Sequence, residues 1–473
     1  MRYLYNIAIW FYALGVRVAA LFNRKVRLMW HGEQGAYAKI EAGLKDGDRV
    51  VWVHAASLGE FEQGRPLIEK IRRDNPEYKI LLTFFSPSGY EVRKNYGGVD
   101  VIAYLPLDTP GNARRFVELV KPEKVVFVKY EFWLNYLREL RGRGVDTYII
   151  SAIFRKEQVF FKWYGGLFRE GLKAFKKLFV QNEESKELLK EIGVENVVVA
   201  GDTRFDRVAD VVSMAKKLDV VEAFVGMRNE ELGMRSLPVL VVGSSWGPDE
   251  ELLARYINER AGKMKMIIAP HEVSEERIKE LTEKLSCKWM LYTNAQCTMH
   301  NAQLSDNIHS QSNLEELNPS VLWTPPLNQG RNVAHHSDLG DVDCLVINTI
   351  GLLSSVYQYG QVAYIGGGFG VGIHNTLEAA AWGMPVVFGP NYKKFKEACE
   401  LIECGAARSI SNYEECAKAL DEFFEKNEEA SKAAGLYVAS HTGATEIIHN
   451  SEFTIILLKI CDRLGFDFLD RKT

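Results

Sequence analysis

The stretch Val362–Pro390, VAYIGGGFGVGIHNTLEAAAWGMPVVFGP, decides the fold, because it reads as strand, glycine loop, helix and second strand within 29 residues. Val362–Ile365 is a short apolar run, and five of the seven residues 366–372 are glycine. The backbone there reaches φ > 0 and can approach a ligand with no Cβ in the way. His374 and Asn375 then open a helix, with Asn375 as N-cap and Glu378, three residues on, as its capping-box partner. A helix N-terminus behind a glycine loop presents free N–H groups and the positive end of the macrodipole, which suits a phosphate at about 1 kcal/mol per exposed interaction. The other reading is a loop that only joins strand to helix. No G-x-G-x-x-G can be laid on residues 366–372, so the stretch is not a dinucleotide fingerprint.

The same alternation extends outward in both directions. Upstream, Leu237–Val242 with the turn Gly243–Gly247, Met264–Ile268 with Ala269–Glu272, and Cys344–Ile347 are strands of the same domain, and helices follow at Tyr413–Lys426 and Glu446–Leu464. Nearer the N-terminus, Val50–His54, Lys79–Phe84, Val101–Leu105, Lys124–Val128, Thr147–Ser151, Lys177–Val180 and Asn196–Val199 are short β-rich runs, most of them followed by a helical pattern. This is a parallel sheet covered on both faces, made twice. The expected organisation is a membrane or interfacial helix over 1–27, a Rossmann-like domain over 28–210, a linker over 211–236, a second Rossmann-like domain over 237–445 and a C-terminal helix over 446–473. Between 288 and 343 the periodicity fails. Residues 291–340 hold 11 Asn or Gln and four His, the composition of an irregular insertion. Two doubly wound domains would face each other across a cleft, with ligands at the carboxyl ends of the strands.

With 473 residues and 47% hydrophobic content the chain can bury two cores. Its net charge of −4 is unevenly spread: residues 1–210 carry 34 Lys/Arg against 27 Asp/Glu, or +7, which leaves 24 against 35, or −11, for the rest. The basic half fits an anionic partner or a membrane surface, and the acidic half argues against nucleic acid. All seven cysteines lie from Cys287 onward, without a C-x-x-C, which implies a reducing compartment and no structural zinc.

Tyr3–Phe22 is twenty mostly apolar residues interrupted by Asn6 and Arg17 and followed by Arg24, Lys25 and Arg27. Three readings stay open: a spanning anchor with the body on the cytoplasmic side, an interfacial helix, and an aromatic-rich helix docked on the protein. A second basic and aromatic segment contains Phe154, Arg155, Lys156, Phe160, Phe161, Lys162, Trp163, Tyr164, Phe168, Arg169, Lys173, Lys176 and Lys177. It reads either as a membrane interface or, with Phe160, Tyr164, Phe168 and Phe175 near helical spacing, as the core face of a helix.

Among residues able to do chemistry, Glu60 stands where a strand hands over to a helix. Ser57-x-x-Glu60 is a capping box, and a carboxylate at that edge is also placed to take a proton from a hydroxyl. The residues alone leave both roles open. WVHAASLGEFEQ (52–63), GDTRFD (201–206), GSSWGPDE (243–250), IIAPHE (267–272), NTIGLL (348–353) and GGGFGVGIHNTLEAA (366–380) occur in this order behind an N-terminal apolar segment. Together they resemble bacterial 3-deoxy-D-manno-octulosonic acid (Kdo) transferases of lipopolysaccharide synthesis, over nearly the whole chain except the insertion and the extreme C-terminus.

The resemblance implies a GT-B glycosyltransferase at the inner membrane, with its catalytic domains on the cytoplasmic side. It implies CMP-Kdo as donor, a lipid A precursor as acceptor, membrane lipids as partners, no cofactor, no bound metal, and inversion at the anomeric carbon. Carried over position by position, Glu60 would be the general base, and Glu131 in KYEFW and Arg204 in GDTRFD would stabilise the transition state. Pro270 and His271, then Gly351, Leu352 and Leu353, then Asn375, Thr376, Leu377 and Glu378 would contact CMP. The departures are His271 where the resemblance expects an arginine, Asn348 where an acidic residue is common, and the insertion. Asp341-Val342-Asp343 imitates a D-x-D metal motif at the insertion's edge. A UDP-sugar transferase of the same fold and a non-catalytic sugar-nucleotide-binding protein are the alternatives.

Overall fold

A computed structural model of the chain describes residues 2–226, 237–299 and 339–454. The chain divides into two compact units, Met1–Arg207 with His441–Thr473, and Val208–Ser440.

The first unit is built on seven parallel strands: β1 (Arg49–His54), β2 (Tyr78–Phe84), β3 (Val101–Tyr104), β4 (Lys124–Val128), β5 (Asp146–Ala152), β6 (Lys177–Val180) and β7 (Val197–Val199). Their order across the sheet is β3-β2-β1-β4-β5-β6-β7. These strands are near-continuous apolar runs because helices cover both faces. Trp52, Leu81, Val125, Phe127 and Ile149 bury on one side, and Val51, Val53, Leu82, Val126 and Ile150 on the other. Because β4 follows β3 in the chain but lies beside β1, the order reverses between β1 and β4, and the carboxyl ends of these two strands are the switch point where such folds bind ligands.

The second unit repeats the plan with β8 (Val239–Ser245), β9 (Lys265–Pro270), β10 (Trp289–Leu291), β11 (Cys344–Val346), β12 (Val362–Ile365), β13 (Val386–Phe388) and β14 (Ala407–Ser409). The order is β10-β11-β9-β8-β12-β13-β14, all parallel, with its switch point between β8 and β12. Two of these strands escape the sequence reading. Trp289–Leu291 and Ala407–Ser409 are three residues each, too short to show a period.

The boundaries shift for identifiable reasons. The insertion expected to be irregular over 288–343 begins with β10, paired to β11, and ends in a 3₁₀ turn at Leu339–Asp341; residues 300–338 lie outside the described residues. The 211–236 stretch is in part core, since the Asp219–Val225 helix buries Val221 and Phe224 completely. Residues 227–236 lie outside the described residues. The C-terminal helix is Ala444–Glu452, and it belongs to the first unit. Ile448 and Phe453 enter that core, Tyr148 Oη donates to Glu452 at 2.6 Å, and Asp206 accepts the Thr445 N–H at 2.7 Å. Residues 455–473 lie outside the described residues.

The N-terminal segment is a helix, Arg2–Phe22, docked along one side. Ala13, Val16 and Ala20 are buried, whereas Tyr3, Trp10, Phe11, Leu21 and Phe22 are exposed. Its polar interruptions face the protein. Tyr5 Oη donates to Asp108 at 2.6 Å, Asn135 Nδ2 donates to Asn6 at 3.0 Å, and the Arg17 guanidinium lies 5.0 Å over the Trp30 ring. Of the second aromatic segment, Phe154, Phe160 and Phe175 are core, while Trp163 is 91% exposed. The single helical face is replaced by a 3₁₀ turn at Val159–Phe161 and a separate helix at Gly166–Leu172, because Gly165 fits only against the Val159 carbonyl.

Candidate active site

In the first unit the switch point gathers the carboxylates. The apolar run of β1 ends at His54, and a tight turn leads into the Leu58–Asp74 helix. Glu60 Oε2 accepts the Ser57 N–H at 2.9 Å and the Ser57 hydroxyl at 3.2 Å, so the capping box is real. Burial, and then the negative charge of Glu131, push the Glu60 carboxyl above its ordinary range; the hydrogen bonds from Ser57 pull the other way. Glu60 is therefore both a cap and a carboxylate made more basic by its surroundings.

Glu131 follows β4, the strand beside β1. Its Oε2 faces His54 Nε2 at 3.1 Å and accepts the Trp133 indole N–H. Arg204 is tied to the same helix. Its Nε and Nη2 both contact Asp202 Oδ2 at 2.9 Å, and Gln63, one turn beyond Glu60, donates to Asp202 Oδ1 at 3.0 Å. A buried carboxylate thus holds the guanidinium in place while 35% of the Arg204 side chain stays exposed.

Local strain marks the same edges. Among the described residues, non-glycine positive φ occurs at Lys121, Lys129, Ser151 and Ser244. Three of these lie at carboxyl ends of β4, β5 and β8. Each costs on the order of 1–3 kcal/mol and persists because neighbours fix it: Lys129 N–H bonds the Ile150 carbonyl at 2.9 Å, and Ser151 Oγ lies 2.8 Å from Thr203 Oγ1.

In the second unit the edge between β8 and β12 is aromatic. Trp246 opens the Gly247–Glu259 helix, and its indole N–H donates to His374 Nε2 at 3.0 Å. His271, which follows β9, stacks on both rings, with centroids 4.6 Å from Trp246 and 4.3 Å from His374. Burial and the neighbouring His271 lower the His374 pKa, so that ring stays neutral and accepts the indole proton. Asp249, fully buried, joins the two loops by accepting the Trp246 and Gly367 N–H groups at 2.9 Å each.

The glycine loop is required by packing as well as by any ligand. A Cβ at Gly366 would lie 2.3 Å from the Ser244 carbonyl and one at Gly368 would lie 2.6 Å from Gly389 Cα, while Gly367 and Gly372 have φ of 92° and 136°. The helix behind it is shorter than expected, Leu377–Ala381, and Asn375 stands before its cap residue Thr376. Asn375 Oδ1 accepts the Leu377 N–H at 3.1 Å, and Glu378 takes the Asn375 side-chain amide at 3.0 Å rather than its backbone N–H. Five residues make a weak dipole, so anion binding here must rest on the loop N–H groups. Leu353 sits against Gly243 and Glu378 acts on Tyr357, which brings Gly351–Leu353 and Asn375–Glu378 to one edge with Pro270 and His271. Asp343 in the D-x-D look-alike accepts the Gly262 N–H at 2.7 Å and the Lys288 N–H at 3.0 Å, a structural role. Asn348 pairs with Thr293 through both side-chain atoms.

A family model described as 3-deoxy-D-manno-octulosonic-acid transferase (kdotransferase) matches residues 29–207, which include Glu60, Glu131 and Arg204. The 3-deoxy-D-manno-octulosonic acid transferase of Aquifex aeolicus is 25% identical over 393 residues, covering 82% of this chain and 89% of that protein. That of Bordetella pertussis is 26% identical over 416 residues, covering 84% and 85%. The family match and these relatives support a Kdo transferase. Its architecture is the α/β GT-B type: the UDP-GlcNAc 2-epimerase of Neisseria meningitidis bound to UDP-GlcNAc aligns with a TM-score of 0.54 at 15% identity, over 87% of this chain and all of that one. Three residues carry contacts that sequence reasoning did not assign, namely His54, Trp246 and His374. His54 and Trp246 stand at the carboxyl ends of apolar strands, and His374 follows the glycine loop.

Proposed function

We propose that this protein transfers Kdo from CMP-Kdo to a lipid A precursor, with inversion and with no metal or cofactor. The observation that carries the mechanism is Glu60, a half-buried carboxylate at the β1–β4 switch point whose basicity is raised by burial and by Glu131. Glu60 takes the proton of the acceptor hydroxyl as its oxygen attacks the anomeric carbon, and the bond to the CMP phosphate breaks on the opposite side. One base and one displacement give inversion. Arg204, held by Asp202, offsets the negative charge that grows on the departing phosphate. Glu131 stabilises positive charge that develops on the sugar. His271, Gly351–Leu353 and Asn375–Glu378 bind the nucleotide, with the imidazole contributing ring contact where an arginine would contribute charge.

The acceptor is a lipid, and the Arg2–Phe22 helix is long and apolar enough to cross a membrane. Its docked polar residues favour an interfacial helix: Tyr5, Asn6 and Arg17 hold one side to the protein and leave an apolar side for the bilayer. The protein then works at the cytoplasmic face of the inner membrane, where its acceptor need not leave the lipid. Incubation with CMP-Kdo and a lipid A precursor, followed by mass spectrometry of the lipid, tests the reading. Release of CMP with Kdo on the lipid supports it, and transfer from a UDP-sugar in its place overturns it.

A further inference from the structure

His54 is fully buried at the end of β1 and takes part in none of the steps above. Its surroundings constrain both ring nitrogens. Nδ1 lies 2.9 Å from Thr83 Oγ1 and Nε2 lies 3.1 Å from Glu131 Oε2. Thr83, also fully buried, has one proton to give. It already accepts the Trp52 indole N–H at 2.7 Å, and the other acceptor within reach, the Val53 carbonyl, is 3.5 Å away. The shorter contact takes the proton: the Thr83 hydroxyl donates to His54 Nδ1, which leaves the imidazole proton on Nε2, facing the Glu131 carboxylate. Every donor and acceptor in the chain Trp52, Thr83, His54, Glu131 is then matched, with a neutral imidazole and an ionised carboxylate. Placing the proton on Nδ1 alone sets an imidazole lone pair against a carboxylate oxygen, a mismatch that burial makes expensive. The ring itself is clamped, with Phe127 and Trp133 at T-shaped contacts of 5.9 and 6.0 Å.

We propose that His54 is a positioning residue for the transfer reaction: locked by Thr83 as the Nε2–H tautomer, it donates to Glu131 and holds that carboxylate charged and aimed beside Glu60. The inference rests on the transferase reading, because Glu131 matters only if charge develops next to it. It explains why a polar ring ends an otherwise apolar strand. It also explains why the partner comes from β4, a neighbour in the sheet though not in the chain. The Glu131 oxygen held by His54 is the one that also accepts the Trp133 indole N–H, so two buried donors fix one oxygen.

The test uses the full chain with ¹⁵N-labelled histidine, the His54 signals being those missing from His54→Phe. Nε2 should be protonated and Nδ1 bare at neutral pH, and Glu131→Gln should move the Nε2–H signal. A proton on Nδ1, alone or with one on Nε2, overturns the proposal. In transfer assays His54→Phe should lower kcat on the order of 10²-fold, the cost of a misplaced group, with the KM for CMP-Kdo within about twofold. His54→Gln, whose side-chain amide can reach Glu131, should recover most of the loss. A His54→Phe enzyme with parental kcat, or a Gln variant no better than Phe, contradicts the assigned role. If His54→Phe does not fold, His54→Gln identifies the missing signals, and the tautomer and its response to Glu131→Gln decide the question. If the parent transfers no Kdo, the functional reading fails on its own while the tautomer still tests the geometry.

Discussion

Replacing Glu60 with Gln separates its two roles. Glu60 Oε2 accepts from Ser57 N at 2.9 Å and from Ser57 Oγ at 3.2 Å, and a glutamine oxygen can keep both bonds. What disappears is the proton acceptor. A missing general base costs roughly 10² to 10⁴ in kcat, or about 3 to 5 kcal/mol in the barrier. Stability should hold or rise, because the variant also removes a charge that burial and Glu131 both disfavour. Glu60→Ala is the control: it loses the cap as well, at a cost of about 1 kcal/mol, which lowers Tm by about 2–4 °C in a domain of this size. Thermal melts and steady-state kinetics with CMP-Kdo, run on both variants, read out the two effects independently. Glu60→Gln within tenfold of the parent would refute the base assignment and leave Glu60 as a cap. So would an activity loss that merely follows a loss of folded protein.

Other expectations follow from particular contacts. Glu33, buried on the Arg24–Gln34 helix with one oxygen unpartnered, has its carboxyl pushed up by desolvation to about 8. The folded state therefore holds a proton that the unfolded chain gives up near 4.5, and stability falls as pH rises between those values, by up to about 1.4 kcal/mol per pH unit. Urea melts at pH 6 and pH 9 should show that loss in the parent and not in Glu33→Gln; equal pH dependence in the two proteins would locate the effect elsewhere. CMP at about 100 times its Kd should stabilise the protein by about 2.7 kcal/mol, and His271→Ala or Trp246→Ala should reduce the shift, whereas a larger response to UDP would remove CMP-Kdo as donor. Removing residues 2–22 should weaken liposome binding in part, and Trp163→Ala with Tyr164→Ala should weaken it further. Unchanged binding in the double variant would confine membrane contact to the N-terminal helix. Arg169 and Lys173 are unsuitable for that test, since Arg169 holds the Phe160 and Lys162 carbonyls at 2.9 Å each and Lys173 pairs with Glu170 at 2.8 Å.

The strands that were legible in the sequence are those whose two buried faces make them long apolar runs: Lys124–Val128, Lys177–Val180 and Val362–Ile365 appear with the bounds read from their residues. Trp289–Leu291 and Ala407–Ser409 were not, because neither length nor period separates them from a turn. Glu60, Glu131 and Arg204 were reachable through the family resemblance. That Glu60 and Glu131 share one edge follows from the strand order, which places β4 beside β1 across 70 residues of chain, whereas Arg204, which follows β7, is tied to the Glu60 helix through Asp202 and Gln63. For the same reason His54 reads in sequence as the last residue of a strand, and its partners emerge only from the register of β1 with β2 and β4. The aromatic segment at 154–175 misleads in the opposite way. Spacing suggests one helical face, but a close backbone approach at Gly165 breaks it into two short elements, and most of its rings turn inward.

The most direct test of the account is a single incubation of the full chain with CMP-Kdo and a lipid A precursor in lipid vesicles, run beside Glu60→Gln. The account predicts a Kdo-bearing lipid and an equal amount of CMP from the parent, and CMP binding without either product from the variant. A parent that binds CMP yet leaves the lipid unchanged, or a variant that transfers Kdo as fast as the parent, would contradict it.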